Sequence, residues 1–145
     1  MSEEKKYAGC IVDSLLYEPP MSDEYRKMYE AFSKRQLWID GNLVPGAFQM
    51  NTAWYVQAPE EPTMFAEHAH PGEELIGFFS SDPASRELDG ELEVVIGGEC
   101  YKITRSTIVF IPSNVPHELR INKIGKPVFH FSVVNTPTYD NSSYR

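Results

Sequence analysis

The chain has 145 residues, among them eight Phe and eight Tyr, which is enough for one domain with a hydrophobic core. Its formal net charge of −8 excludes sequence-independent nucleic-acid binding and docking on anionic lipid, both of which need clustered Lys and Arg. No run approaches the ~20 apolar residues of a membrane span, the stretch from Met1 to Lys6 lacks an apolar export signal, and Cys10 and Cys100 are too few for a disulfide framework, so a reduced, cytoplasmic setting is expected.

Residues 1–21 read as an arm. Its Ile11, Leu15, Leu16 and Tyr17 are expected to pack on the body or on a second subunit. Pro19-Pro20 closes it. Residues 22–35 form the one good helical pattern. Ser22 suits the N-cap, and Asp23 and Glu24 suit the positive helix N-terminus. Tyr25, Met28, Tyr29 and Phe32 share one face and should pack on the body.

Beyond the helix the period changes to two. Strands are expected at 36–40, 48–57, 63–70, 74–80, around Leu92–Ile96, and at 100–104, 107–111, 118–122 and 128–134. Gly97-Gly98 marks a hairpin turn. In the second of these strands Phe48, Met50, Thr52, Trp54 and Val56 lie on one face, and Gln49, Asn51, Ala53, Tyr55 and Gln57 on the other. Trp38, Trp54, Phe48, Met50, Phe78 and Phe110 are expected to line the core or a pocket wall. The segment from Ser80 to Gly90 reads as a surface loop, or as a lip over a barrel mouth. The tail from Thr136 should be loose or pair with a neighbour. One helix followed by short strands predicts a single all-β domain, a sandwich or barrel of jelly-roll type, over residues 22–135.

The chain has four histidines. His68 and His70 are two apart in a strand pattern, so both imidazoles face one side, roughly 7 Å apart along the backbone. Pro71-Gly72 then turns the chain, and Glu74 can return its carboxylate to the same place. His117 follows in Ile-Pro-Ser-Asn-Val-Pro-His, where Pro112 and Pro116 stiffen the loop. Three imidazoles and one carboxylate make a mixed N/O site for one divalent transition metal such as Fe, Mn, Ni, Cu or Zn.

These residues resemble the two motifs of the cupin superfamily. The run His68-Ala-His70-Pro-Gly-Glu-Glu74 matches the ligand part of the first motif. The run Pro112-Ser-Asn-Val-Pro-His117 matches the proline and the histidine of the second. The resemblance covers roughly residues 48–134. It implies a double-stranded β-helix, the cupin barrel, with His68, His70, Glu74 and His117 as metal ligands. Pro62, Ser81, Ser106 and Asn114 stand where the motifs carry glycine, and Ile121 where the second carries Asn. Asn114 is the mildest exchange, since Asn tolerates positive φ. Glu73 sits one residue too early to be the ligand.

His130 lies in a terminal strand. Facing outward it is a surface or interface residue; facing inward it is a proton-transfer group near the metal. Tyr55, Gln49 and Asn51 offer hydrogen bonds to a substrate, and Tyr55 serves equally as a packed aromatic. Cys100, beside Glu99, is expected to be inert. Three functions remain open: a metal-dependent enzyme on a small oxygenated molecule (isomerase, lyase, decarboxylase or dioxygenase chemistry), a non-catalytic small-ligand binder, and a structural metal site in an assembly subunit. The arm and the apolar strands suggest a homodimer, with the arm exchanged or covering a sheet edge.

Overall fold

A computed structural model describes residues 5–61 and 65–136. Pro62 and most of the tail that begins at Thr136 lie outside the described residues, as does the start of the expected strand 63–70.

The arm contains a short 3-10 turn, Ala8–Cys10, and then runs extended. Of its expected anchors, Ile11 and Leu16 stand exposed, whereas Tyr17 is half-buried and its hydroxyl accepts from Asn42 Nδ2 at 3.4 Å. Further attachment comes from Glu18, whose carboxylate accepts from both Arg26 and Arg35 at 3.2 Å, and from Pro19 and Met21, which line the central cavity.

Helix α1 spans Asp23–Phe32, with the Ser22 hydroxyl accepting from the Tyr25 amide. Tyr25, Tyr29 and Phe32 are buried as the periodicity requires, but Met28 stays exposed. The helix ends three residues before the expected Arg35. Backbone pairing explains the difference, because Ser33, Lys34 and Arg35 already form a ladder with Tyr55, Trp54 and Ala53. Strand β1 is therefore Ser33–Ile39 and carries a bulge between Arg35 and Leu37.

The remaining strands are β2 (Gln49–Tyr55), β3 (Phe65–His68), β4 (Glu74–Ser80), β5 (Glu87–Ile96), β6 (Glu99–Arg105), β7 (Thr107–Ile111), β8 (His117–Ile124) and β9 (Val128–Val134). They form two antiparallel sheets, in the orders β1-β2-β9-β4-β7 and β3-β8-β5-β6. The all-β jelly-roll class expected from the sequence is the fold observed. Gly97 and Gly98 both take positive φ in the β5–β6 turn, which glycine adopts without a Cβ clash. The expected loop from Ser80 to Gly90 is shorter, since β5 begins at Glu87. Its turn, held by Asp82 accepting from Ala84 N at 2.9 Å, lies away from the central cavity and forms no lip over it.

The core is filled from both sheets and from α1, with Phe32, Phe78, Leu88, Leu92, Ile111 and Ile121 fully buried. Ile121, at the motif's Asn position, packs in this core opposite Leu92.

The expectation that Phe48, Met50 and Trp54 line the core or a pocket wall is not met, whereas Tyr55, Gln49 and Asn51 do line the cavity. In β2 the mixed polar row Gln49, Asn51, Ala53 and Tyr55 is the buried one. Met50, Thr52 and Trp54 face away from the core. Phe48 and Phe110, expected in the core or pocket wall, are 62% and 52% exposed, whereas Trp38 and Phe78 are buried as expected. Buried polar side chains are costly unless they find hydrogen-bond partners, and here Gln49 and Asn51 face the central cavity.

Candidate metal centre

β3 carries His68 at its last residue, directly opposite His117 at the first residue of β8. His70 follows past the strand end, and Glu74 opens β4. The two proline-containing loops are stitched to each other. Ser113 Oγ donates to Pro71 O at 2.6 Å, and Asn114 N donates to His70 O at 2.8 Å. Asn114 takes φ 61°, so it replaces the motif glycine in the left-handed conformation as expected. Ser106, at another glycine position, accepts from Ser80 N at 3.0 Å through its hydroxyl.

This scaffold gathers three imidazoles. The potential ligand nitrogens of His68, His70 and His117 all lie within 4.8 Å of one another and form a group able to hold a metal ion. Glu74 Oε1 lies 3.2 Å from His70 Nε2 and 3.1 Å from His117 Nε2. All four sequence-derived candidates therefore converge. Glu73 points elsewhere and accepts from Asn135 Nδ2 at 3.2 Å.

The ring orientations are set by backbone. His68 Nδ1 lies 2.9 Å from Ala66 O, His70 Nδ1 2.7 Å from Gly72 O, and His117 Nδ1 2.9 Å from Val115 O. A carbonyl oxygen only accepts, so each Nδ1 carries the proton and each Nε2 presents a lone pair. His117 Nε2 is buried without an aligned hydrogen-bond partner among the described residues. Three lone pairs and a carboxylate so close repel unless a positive centre lies between them. The donor set thus fits a divalent cation, whose ligands must be neutral imidazole and ionised carboxylate.

The electrostatics agree. Burial pushes the His68 imidazole below its ordinary pKa, and His117 and His70 push it the same way. Burial would raise the Glu74 carboxyl, but hydrogen-bond donation and positive charge on the His117 and His70 side outweigh that and hold it at about 2; a cation seated among neutral rings acts in the same direction. Near neutral pH the carboxylate is ionised and the His68 ring is neutral.

The group forms one wall of a cavity of about 320 Å³ lined by residues of both sheets. His130 also faces this cavity, which resolves its orientation as inward. It is buried, and its ring lies between Tyr55, at 4.8 Å between centroids, and Phe78, at 5.2 Å. His130 Nδ1 donates to Gly77 O at 3.1 Å, which leaves Nε2 as the acceptor. Burial pushes its pKa down to about 4, against a partial rise from the Gly77 hydrogen bond.

That depressed value has a consequence for stability. Unfolded, the ring takes up a proton near pH 6.5; folded, it refuses one until about pH 4. The folded state therefore loses stability as pH falls from about 6.5 towards 4, by about 3 kcal/mol from this ring. Urea denaturation across that range is expected to show the decline, and His130→Gln should flatten it. An equal slope in the variant would refute the assignment.

Sequence reasoning does not reach Arg35 or Tyr29 as cavity residues. Helical periodicity leaves Arg35 on a helix end, and only the early start of β1 turns it inward. Cys100 is exposed on β6, where its thiol donates to Glu93 and is raised in pKa by that contact, in keeping with an inert thiol.

No protein-family model matches the chain, and no curated protein matches it in sequence. Solved structures do match in fold. An oxalate oxidase in complex with glycolate aligns over 90% of this chain and 61% of its own length, with 17% identity and a TM-score of 0.53. An RmlC-like cupin from Shewanella frigidimarina aligns over 75% of this chain and 79% of its own, with 16% identity and a TM-score of 0.45. A salicylate 1,2-dioxygenase from Pseudaminobacter salicylatoxidans aligns over 72% and 26%, with 16% identity and a TM-score of 0.48. The chain thus spans less than two thirds of the oxalate oxidase and about a quarter of the dioxygenase. At such identities the likeness is one of fold, and the chain has the fold of the cupin superfamily that its two histidine motifs led us to expect.

Proposed function

We propose that the chain is a metal-dependent cupin enzyme acting on a small oxygenated organic molecule. His68, His70, Glu74 and His117 hold one divalent ion (Fe, Mn, Ni or Zn). The observation that carries this reading is the set of three Nε2 lone pairs on the wall of a cavity large enough for a ligand. A closed structural site would have no need to open on such a space. When bound, the ion supplies Lewis acidity towards a carbonyl, carboxylate or enolate oxygen.

The chain's own residues do the rest. His130 presents Nε2 to the cavity as a hydrogen-bond acceptor that orients the bound molecule, because its Nδ1–H is committed to Gly77 O. Tyr55 and Phe78 hold the imidazole plane between them, so Tyr55 acts as a positioning residue. Tyr55, Phe65, Ile76, Val94 and Leu119 supply apolar wall and keep bulk water out. The test is metal analysis of the purified protein followed by cobalt substitution. Azide or a small keto acid is expected to perturb the cobalt spectrum. An unperturbed spectrum would exclude an open position and with it the catalytic reading.

We also propose that a second copy of the chain covers the outer face of the five-stranded sheet. Half-exposed sheets normally alternate apolar and polar residues. Here the outward row is apolar too: Trp54, Phe129, Phe131, Phe79 and Leu75 adjoin Ile108 and Phe110, which are 59% and 52% exposed. Phe131 even lies across Gly77, where a Cβ would meet its ring at 2.2 Å. Five strands of about seven residues give a flat area of ~500 Å², which side-chain relief brings towards the ~800 Å² per partner of a stable interface. In a chain of charge −8, an apolar face adds no like-charge repulsion of its own to self-association.

A further inference from the structure

The wall of the cavity away from the histidines is built from hydrogen-bond donors. Arg35 has a side chain only 8% exposed. Its guanidinium lies against the rings of Tyr29 and Trp38, at 4.8 and 5.2 Å from their centroids. Its Nε donates to Asn51 Oδ1 at 2.8 Å. That bond turns the Asn51 Oδ1 towards Arg35 and leaves the Asn51 amide N–H groups to be offered to the cavity. Gln49 is 1% exposed, and neither its Nε2 nor its Oε1 has a hydrogen-bond partner among the described residues. The buried Tyr29 hydroxyl is likewise unsatisfied. All four residues line the same cavity as the histidines.

A buried amide with both ends unpaired is costly and calls for an explanation. So does a buried guanidinium whose carboxylate partner is shared. Glu18 serves both Arg35 and Arg26, each at 3.2 Å, while the exposed Glu30 reaches only Arg26 at 3.8 Å. The carboxylates lining the cavity, Glu74 and Glu118, belong to the histidine side, and Glu118 is engaged by Arg120 at 3.0 Å. The sheet register fixes the distance between the two ends. Glu74, Val134 and Gln49 stand opposite one another across β4, β9 and β2. Two strand spacings, ~10 Å between backbones, therefore separate Gln49 from Glu74. His130, on the middle strand β9, pairs with Ala53 of β2 and Phe78 of β4.

We propose that this donor cluster is an oxyanion subsite and that the cavity takes a small organic carboxylate, its carboxylate held by Arg35, Asn51, Gln49 and Tyr29. Planar guanidinium and amide donors match the two oxygens of a carboxylate. A second oxygen of the same molecule then faces the histidines, a point that rests on the metal reading above. His130 stands between the two, beside the bonds that join them. The apolar lining between the ends selects a short carbon skeleton.

Titration calorimetry on the full chain tests this, with benzoate and hexanoate each compared with its primary amide, before and after EDTA treatment. Each acid is expected to bind at least ~10-fold more tightly than its amide in both forms, because one charge-assisted hydrogen bond carries about that factor. Arg35→Lys keeps the charge but loses the planar fork, and should lose most of the preference. Gln49→Leu should weaken acid binding ~10-fold while raising the Tm by about 3 °C, since it removes an unsatisfied buried amide. That variant keeps the test sound if Arg35→Lys folds poorly. Equal binding of acid and amide, or a Gln49→Leu chain that binds acids as its parent does, would overturn the subsite. A preference that vanishes with EDTA would overturn it too, because the ion would then be reading the carboxylate. A preference that survives in a chain unable to bind metal would uphold the subsite and refute the metal reading alone.

Discussion

His117→Ala is expected to lower affinity for a divalent ion by more than ~100-fold, beyond the ~10–100-fold typical of losing an outer-shell partner. His117 is the least exposed of the three clustered histidines, and its Nε2 is buried without an aligned hydrogen-bond partner among the described residues. Its removal takes away one of three nitrogens and opens the floor of the site to water. His68→Ala should behave alike, though less severely, because His68 is partly exposed. Glu73→Gln is the control. It alters an exposed carboxylate one residue from Glu74 and should leave affinity unchanged. Competition against a chelating dye measures all three. Unchanged affinity in His117→Ala, or equal loss in Glu73→Gln, would remove the basis for the site.

A double variant, Ile108→Lys with Phe110→Lys, is expected to be monomeric where the parent chain is a dimer. Both side chains stand more than half exposed on the outer face of β7, so neither change disturbs the core. Each would place a charge in an apolar interface. Buried aromatic anchors typically contribute ~2 kcal/mol or more to an interface, so the pair should weaken association by ~1,000-fold. Light scattering at micromolar concentration reads the mass directly. A monomeric parent would refute the proposal outright. A dimeric double variant would place the interface elsewhere, with the exposed Ile11 and Leu16 of the arm as the first surface to test.

Much of the strand plan was legible because period-two patterning is a local property. The bounds of β4, β7 and β9 match the expected ranges. The helix start was equally legible, since a Ser N-cap with two acidic residues acts within one turn. The helix end was not, because Ser33, Lys34 and Arg35 are strand only by virtue of pairing with Tyr55, Trp54 and Ala53 of β2, which lie beyond the reach of local patterning. Met28 was misplaced for a related reason. A helical stripe tells which residues share a face, but not how far the opposing surface extends.

The sequence by itself singled out the four candidate ligands. Spacing and proline-braced turns, which act over a few residues, pick out His68, His70, Glu74 and His117, and the structure brings them together. Tertiary structure alone decided which way the sheets face. The row Gln49, Asn51, Ala53 and Tyr55 is the less apolar face of β2, yet it points inward because the barrel encloses a cavity. The richer apolar row is left outside. A strand's alternation is symmetric, so it separates two faces without saying which is inside. The inward turn of His130 and the arrival of Arg35 follow from that same choice, made where the two sheets close on each other.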